Sequence, residues 1–128
     1  MEIIRRAEIQ SFSNGGVKSE QLLFPENSQS QRVTVTRVTV APGGKNPRHA
    51  HATSEQIWVA LRGAGVLLLG GGATAAFAEG DVARFSDGDV HGFENTGPSE
   101  FEYLSVTSPP VNFRAAYSGP WAKGGKTE

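Results

Sequence analysis

Short runs of alternating hydrophobic and polar residues make up most of this chain, and glycine-rich turns separate them. Alternation with a period of two is typical of strands that bury one face, and no segment shows the spacing of an amphipathic helix. Runs that recur about every eight to twelve residues between tight turns predict an antiparallel sandwich or barrel. The pattern therefore predicts an all-β protein, with strands at 33–40, 55–62, 66–69, 73–78, 81–86, 91–95 and 101–107.

The first of these strands changes the parity of its apolar positions along its length. Val33 and Val35 are odd-numbered, whereas Val38 and Val40 are even-numbered. Because side chains alternate between the two faces of a strand, we expect a β-bulge near 36–37, or a strand that passes from one sheet to another.

The two ends of the chain carry weaker signals. Residues 11–20 are predicted to form a loop between two short N-terminal strands, and the tail from Gly119 is predicted to be loosely held. No linker or repeat divides the 128 residues, a length that suffices for one hydrophobic core. We therefore predict a single domain over residues 1–128, with its core at about 20–114.

Composition excludes several classes of function. The net charge of −1 gives no electrostatic basis for binding nucleic acid or an anionic membrane surface. The absence of cysteine excludes disulfides, thiolate metal ligands and a thiol nucleophile. The N-terminus is too polar for a secretory signal, and no apolar run is long enough to span a membrane. We expect a soluble, cytoplasmic protein with a small-molecule partner.

All three histidines of the chain fall within one pattern of metal-binding residue types. His49 and His51 are two residues apart, and Glu55 follows four residues later. His91 lies forty residues after His51. Three imidazoles and one carboxylate form a ligand set that divalent metals favour. The frames around them read Gly43-x5-His49-x-His51-x3-Glu55 and Gly80-x5-Ser86-x-Gly88-x2-His91-x3-Asn95.

Strand geometry supports a shared site for these residues. On a strand, His49 and His51 face the same way, because alternate residues share a face. Glu55 has the same odd parity, and it keeps that facing only if the bend at 52–54 preserves the alternation. Each residue alone has an ordinary explanation, since histidine and glutamate are commonly surface residues. Their conjunction at fixed offsets favours a metal site.

The two frames resemble the paired motifs of the cupin superfamily, G-x5-H-x-H-x3/4-E-x6-G followed by G-x5-P-x-G-x2-H-x3-N. The resemblance covers Gly43 to Asn95 directly, and the strand rhythm extends it over most of the chain. Two departures stand out: Ser86 replaces the usual proline, and the spacer from Glu55 to Gly63 is one residue longer than usual. Neither departure touches a ligand position.

The resemblance implies a double-stranded β-helix, or jelly-roll, barrel with a metal ion inside. It implies that His49, His51, Glu55 and His91 hold this ion and that further coordination sites stay open to water, substrate or dioxygen. It also implies a homodimer, in which the N-terminal stretch 2–9 adds a strand to the partner's sheet.

One divalent metal ion per chain is therefore expected as the cofactor. Mixed imidazole and carboxylate ligands suit iron(II), manganese, nickel, cobalt, zinc or copper(II), whereas ions that prefer thiolates are disfavoured. Intrinsic affinity favours copper or zinc. Cellular supply favours iron or manganese, which are the metals we expect in the cell.

Strand parity also predicts which residues surround the metal. Residues that share the parity of Glu55 or His91 should line the interior, and positions 56 and 58 should face the other way. The predicted pocket residues are Ile57, Val59 and Phe93.

Three further residues are candidates for contact with a substrate. Tyr103 could orient a substrate or donate a proton, or it could be a core aromatic residue with its hydroxyl at the rim. Arg37 and Arg84 each lie within an otherwise apolar strand and could bind a substrate carboxylate bidentately. Edge strands and dimer interfaces also place arginines in this way.

Two classes of function remain open. A divalent ion with open coordination sites can polarise a carbonyl or acidify a bound oxygen. That chemistry serves isomerase, ring-opening, lyase or dioxygenase reactions on a small oxygen-rich substrate. The alternative is a non-catalytic module that binds a sugar or metabolite for sensing, because one fold hosts many activities. The open ligand set favours an enzyme.

Overall fold

Ten antiparallel strands dominate the computed structural model, which describes residues 1–111. Two single turns of 3-10 helix, Arg6–Glu8 and Gly70–Gly72, accompany them. The strands are β1 (Gln10–Asn14), β2 (Val17–Leu23), β3 (Thr34–Val40), β4 (Lys45–His49), β5 (Glu55–Arg62), β6 (Ala64–Leu68), β7 (Thr74–Ala78), β8 (Val82–Phe85), β9 (His91–Glu94) and β10 (Phe101–Ser108).

The strands form two sheets whose inner faces share one core. The larger sheet has the order β1-β2-β3-β10-β5-β8, and the smaller has the order β4-β9-β6-β7. Buried residues of both sheets belong to one hydrophobic cluster. The expected all-β jelly-roll architecture is confirmed. The strand β4, which carries His49, was not among the predicted strands, because Pro47 and the charged residues around it hide a strand signal.

Strand β3 keeps one parity along its whole length, so the predicted bulge within it is wrong. Its inward residues are Thr34, Thr36, Val38 and Val40, and every alternate residue is only half-buried. The positions of the valines predicted a bulge because the inner face of β3 is polar at one end and apolar at the other. The irregularity lies on the neighbouring strand instead, since the β2–β3 register shifts between Gln21 and Leu23.

The N-terminal region also differs from the expectation. Residues 11–20 are not a loop, because β1 and β2 pair in a hairpin whose turn places Gly15 and Gly16 at positive φ. The stretch 2–9 contains a 3-10 turn and no strand. The Glu2 carboxylate accepts hydrogen bonds from the Ser28 hydroxyl and the Gln29 amide. Within one chain the stretch therefore contacts its own domain, and the strand that it would add to a partner's sheet stays a prediction.

The interior of the barrel has two contrasting ends. The aromatic end contains Phe77, Phe93 and Phe101, with the Phe93 and Phe101 rings stacked at 4.1 Å. Gly65 allows this packing, because a Cβ there would overlap the Phe93 ring. The polar end carries hydroxyl, amide and imidazole groups on the same inward face. Its buried residues are Gln21, Thr34, Thr36, His49, His51, Gln56, His91, Ser105 and Thr107.

Two sequence predictions concern the extent of the chain. Buried core residues begin at Val17, and β10 lies between β3 and β5 in the larger sheet. The tail from Gly119 lies outside the described residues, so the single domain over 1–128 stays a prediction. Within residues 1–111, no helix has the length and apolar character needed to cross a membrane.

Candidate metal centre

Three histidines meet at the polar end of the barrel. One nitrogen from each of His49, His51 and His91 lies within 4.8 Å of the others. The ring centroids of His49 and His91 are 4.4 Å apart, and those of His49 and His51 are 4.9 Å apart. All three residues are buried. The structure thus positions three imidazoles to bind one metal ion.

An irregular pairing of β4 with β9 places two of these histidines opposite each other. The register shifts between Asn46 and His49, and His49 then pairs directly with His91. Such a bulge re-aims the side chains that follow it. Gly92 permits the close approach of the two strands, since a Cβ there would lie 2.7 Å from the Asn46 carbonyl oxygen.

His51 follows the end of β4 and is held through its backbone. The Gly88 amide donates a hydrogen bond to the His51 carbonyl oxygen at 2.8 Å. The turn that contains Gly88 is itself closed, because the Ser86 amide donates to the Asp89 carboxylate. This one turn therefore fixes the loop after His51 and the residues that lead into His91.

Backbone carbonyls orient two of the imidazole rings. His49 Nδ1 lies 2.8 Å from the Pro47 oxygen, and His91 Nδ1 lies 2.8 Å from the Asp89 oxygen. A carbonyl oxygen only accepts, so each Nδ1 carries the proton and each Nε2 keeps its lone pair. Histidines that bind metals typically donate their second nitrogen to such a partner.

Burial keeps the three histidines neutral at physiological pH. Burial, reinforced by the nearby His49, lowers the pKa of His51 to about 4. Burial and the same neighbour lower the pKa of His91 to about 3. Burial also lowers the pKa of His49, against the opposing effect of its bond to Pro47. Neutral imidazole is the form that binds metal ions.

An amide oxygen from β5 completes the cluster. Gln56 Oε1 lies 2.9 Å from His91 Nε2. Trp58 Nε1 donates to the same oxygen at 3.1 Å, and Gln56 Nε2 donates to the Thr107 hydroxyl at 2.8 Å. Because an indole nitrogen is a donor only, Trp58 fixes which end of the Gln56 amide faces the histidines.

The contacts of His91 show that these residues fit a cation. Its two ring nitrogens face two acceptor oxygens, one from Asp89 and one from Gln56, but a neutral imidazole has a single proton. With Nδ1 protonated, Nε2 and the Gln56 oxygen both present lone pairs, and a bound cation would satisfy both.

Glu55 does not belong to this cluster, so its predicted role as a ligand is wrong. Its carboxylate lies on the outer face of the larger sheet, where Arg84 Nη1 contacts Oε2 at 2.6 Å. The bend at 52–54 shifts the alternation, so the even-numbered residues of β5 face inward. For the same reason, the predicted pocket residues Ile57 and Val59 lie half-buried on the outer face.

The other candidates divide between the outer surface and the core. Arg37 pairs with Glu20 on the outer face, and Arg84 pairs with Glu55 there, so neither candidate for binding a substrate carboxylate lies inside the barrel. Phe93 faces inward but packs in the aromatic end. Tyr103 is 1% exposed, and its hydroxyl accepts a hydrogen bond from Asn46 at 3.0 Å. Tyr103 is therefore a core residue whose hydroxyl is internal, away from the rim.

A sequence signal for Gln56 was present. With four residues instead of three between His51 and the fourth ligand, the motif reaches Gln56, and the spacer from Gln56 to Gly63 is then six residues. The charge of Glu55 favours the neighbouring position, because carboxylates are the commoner metal ligands.

Comparisons with known proteins agree with this fold. The sequence profile described as "Cupin domain" matches residues 36–107. Among curated proteins, none matches the chain. A solved protein with a double-stranded β-helix domain from Klebsiella pneumoniae is 27% identical with a TM-score of 0.71, over 85% of this chain and 90% of that one.

Two further solved structures are named for enzymes. A predicted oxalate decarboxylase from Thermotoga maritima is 27% identical with a TM-score of 0.71, over 85% of this chain and 100% of that chain. The polyketide cyclase RemF from Streptomyces resistomycificus is 20% identical with a TM-score of 0.70, over 99% of both chains. The likeness to the cyclase shows the fold alone.

Proposed function

Since this chain belongs to the cupin family, we propose that it is a metal-dependent enzyme acting on a small oxygen-rich substrate. The observation that carries this proposal is the cluster of three neutral histidines, whose ligand nitrogens lie within 4.8 Å of one another, with the Gln56 oxygen against His91. We propose His49, His51, His91 and Gln56 as the residues that hold one divalent ion. Iron or manganese is the expected metal in the cell, with nickel, zinc, cobalt or copper as the alternatives.

The donor set has a consequence for the substrate. All four proposed ligands are neutral, so the protein does not offset the charge of the bound ion. When bound, such an ion polarises a carbonyl or hydroxyl oxygen and lowers its pKa. Trp58 and Thr107 hold the Gln56 amide so that its oxygen faces the site. The site therefore favours substrates that bind through anionic or ionisable oxygens.

The proposed reactions are isomerisation, ring opening, lyase chemistry or dioxygenation. A similar structure of 27% identity is named as a predicted oxalate decarboxylase, which supports an enzymatic role. Within residues 1–111, no Asp, Glu, Lys or Arg is buried. Among the described residues, the histidines and the Tyr103 hydroxyl are therefore the groups inside the barrel that could transfer a proton.

The test compares two adjacent residues on opposite faces of β5. The unaltered protein and the variants Gln56→Leu and Glu55→Gln are each purified without chelator or nickel resin. The metal content of all three is then measured. We expect about one equivalent of metal in the unaltered protein and in Glu55→Gln, and a reduced content in Gln56→Leu. Loss of metal in Glu55→Gln, or no metal uptake by any of the three, would overturn the proposed site.

The lack of a buried carboxylate, lysine or arginine in residues 1–111 also favours a second function. A barrel without a general base can bind a sugar or metabolite without converting it. Metal-loaded protein that binds an oxygen-rich ligand, but converts none in assays with and without dioxygen, would establish this alternative.

We further propose that the protein is a cytoplasmic homodimer that associates through the outer face of the larger sheet. Val106 pairs there with Val35 and Ile57, and Leu104 pairs with Val59, so half-buried apolar side chains form a continuous surface. Light scattering should give twice the 13.6 kDa chain mass, and Val106→Glu should restore the monomer. A monomeric unaltered protein would contradict this proposal, and cell fractionation tests the compartment.

A further inference from the structure

Trp58 and Gln56 lie two residues apart on the inward face of β5, and their side chains meet beside His91. Both are almost completely buried, with exposed fractions of 1% and 2%. The Trp58 indole nitrogen donates to Gln56 Oε1 at 3.1 Å, and the same oxygen lies 2.9 Å from His91 Nε2. The Trp58 ring packs against Phe85 and Tyr103, with centroids 5.0 and 4.5 Å away. The indole N–H is therefore a firmly held donor aimed at the Gln56 amide.

Among residues 1–111, Trp58 and Thr107 hold the Gln56 amide, and of these two only Trp58 distinguishes its oxygen from its nitrogen. Gln56 Nε2 donates to the Thr107 hydroxyl at 2.8 Å. Because a hydroxyl group both donates and accepts, Thr107 would serve an amide in either orientation. An indole nitrogen only donates, so a reversed amide would bring two donors face to face. The orientation of the amide therefore depends on Trp58.

This orientation is unfavourable for the metal-free protein. The Asp89 oxygen accepts from His91 Nδ1, so the neutral ring presents a lone pair at Nε2 to the Gln56 oxygen. The other tautomer of His91 moves the conflict to the Asp89 oxygen and does not remove it. A reversed Gln56 amide would instead donate to His91 Nε2, and a buried acceptor without a donor costs free energy. Trp58 thus stabilises the orientation that suits a cation over the one that suits the metal-free protein.

We infer that Trp58 is a positioning residue, whose indole N–H preorganises Gln56 Oε1 as a metal ligand. This inference rests on the proposed metal site. An amide that already presents its oxygen does not have to reorient when an ion binds, which favours binding. Without the indole N–H, the amide of the metal-free protein should turn and donate to His91 Nε2. An incoming ion would then have to break that hydrogen bond, so the affinity for metal should fall.

A double-mutant cycle separates the orientation of the amide from the size of the indole ring. Trp58→Phe removes the N–H donor, both from the otherwise unaltered protein and from a Gln56→Glu background. A carboxylate presents an oxygen in either orientation, so it does not need a donor to select one. The loss of ring volume is the same in the two backgrounds. Tyr103→Phe is the matched control, because it removes a hydroxyl group that bonds Asn46 in the same aromatic cluster.

Competition with a chromophoric chelator gives the affinity for cobalt, and far-UV circular dichroism verifies that each full-length protein is folded. We expect Trp58→Phe to weaken cobalt binding by about 10- to 100-fold when Gln56 is present, the range for loss of an outer hydrogen-bond partner. In the Gln56→Glu background, the loss should be smaller by about fivefold or more, since the two residues act as a unit. Tyr103→Phe should stay within about threefold of the unaltered protein.

Nitrogen-15 NMR of the metal-free protein tests the orientation of the amide without any ion. The resonance of a neutral imidazole nitrogen moves upfield when that nitrogen accepts a hydrogen bond. The His91 Nε2 resonance should therefore move upfield in Trp58→Phe and stay in place in Tyr103→Phe. In the unaltered protein it should have the position of a nitrogen without a donor. A hydrogen-bonded position there would contradict the inference even if no variant folded.

The outcomes distinguish this inference from the proposed function. An unchanged cobalt affinity in Trp58→Phe, an equal loss in the two backgrounds, or an unmoved His91 resonance would overturn the role of Trp58 and leave the metal site intact. An unaltered protein that binds no cobalt would overturn the proposed function and this inference together.

Discussion

The aromatic and polar ends of the barrel interior share the same strands but are built on different principles. At the aromatic end, β3 and β10 contribute the apolar side chains Val40 and Phe101. At the polar end, the same two strands contribute Thr34 and Thr107 at the opposite limit of their pairing. The change occurs within one strand length, without any break in the sheet.

This contrast separates the source of stability from the site of function. Buried aromatic rings contribute large apolar areas, and their stabilisation does not depend on ligands. The polar end instead contains mutually dependent hydrogen bonds, two acceptors facing one neutral histidine, and two unpaired groups. These groups retain hydrogen-bonding capacity that the described residues do not use. Substitutions at the two ends should therefore have separable effects on folding and on binding.

The largest expected effect is at the aromatic end. Phe93 is fully buried, and its ring stacks on Phe101 and contacts Phe77. Phe93→Ala should lower the free energy of unfolding by about 3–5 kcal/mol, because it leaves a cavity between the two sheets. Urea unfolding measures this loss, and metal content per folded molecule should not change. A loss below about 1 kcal/mol would mean that the aromatic end is not the main source of stability.

Acid should destabilise the polar end of the metal-free protein. The pKa values of His51 and His91 are lowered from 6.5 to about 4 and about 3. Between these values and pH 6.5, both histidines are therefore protonated in the unfolded chain and neutral in the folded chain. The unfolding free energy should therefore be constant above about pH 6.5 and fall below it. The fall is at most about 2 kcal/mol per histidine between pH 7 and pH 5.

Urea unfolding at pH 7, 6 and 5 measures this slope, and His51→Asn should make it shallower. The range ends at pH 5 so that carboxylates contribute little. A metal-free protein that is equally stable at pH 7 and pH 5 would show that the histidines are not buried as neutral groups.

Removing one imidazole should affect metal binding far more than folding. His91→Ala should weaken metal binding by more than about 100-fold, since loss of an outer hydrogen-bond partner alone costs 10- to 100-fold. Competition with a chromophoric chelator gives the affinity, and urea unfolding verifies that the variant is folded. An unchanged affinity would place the metal elsewhere or exclude it.

The fold and the histidines were predictable because their signals are redundant. Seven strands showed alternation or apolar runs, and the spacing of the three histidines identifies them without knowledge of which strand face is inward. The identity of the fourth donor depends entirely on which face of β5 is inward. Both Glu55 and Gln56 begin a strand that is apolar on both faces, so Ile57 and Trp58 gave no means of choosing between them.

The same limit explains the error over β3. A strand that buries Thr34 and Thr36 on a functional surface shows the wrong hydrophobic pattern for its facing. Hydrophobicity marks the inward face of a strand only where the interior is apolar. At the polar end, alternation alone therefore could not show which residues face inward.

The smallest expected effect comes from an ion pair between two residues that were each predicted to serve the site. Glu55 and Arg84 form it on the outer face, with side chains 47% and 58% exposed. Arg84→Ala should change the free energy of unfolding by about 0.2–1 kcal/mol, since solvent screens such pairs. Metal affinity should stay within about twofold of the unaltered protein, because the guanidinium lies on the face of β5 opposite Gln56. Urea unfolding and chelator competition provide the two measurements. A tenfold loss of metal affinity in Arg84→Ala would mean that β5 presents its odd-numbered face to the metal, and the assignment of Gln56 would have to be withdrawn.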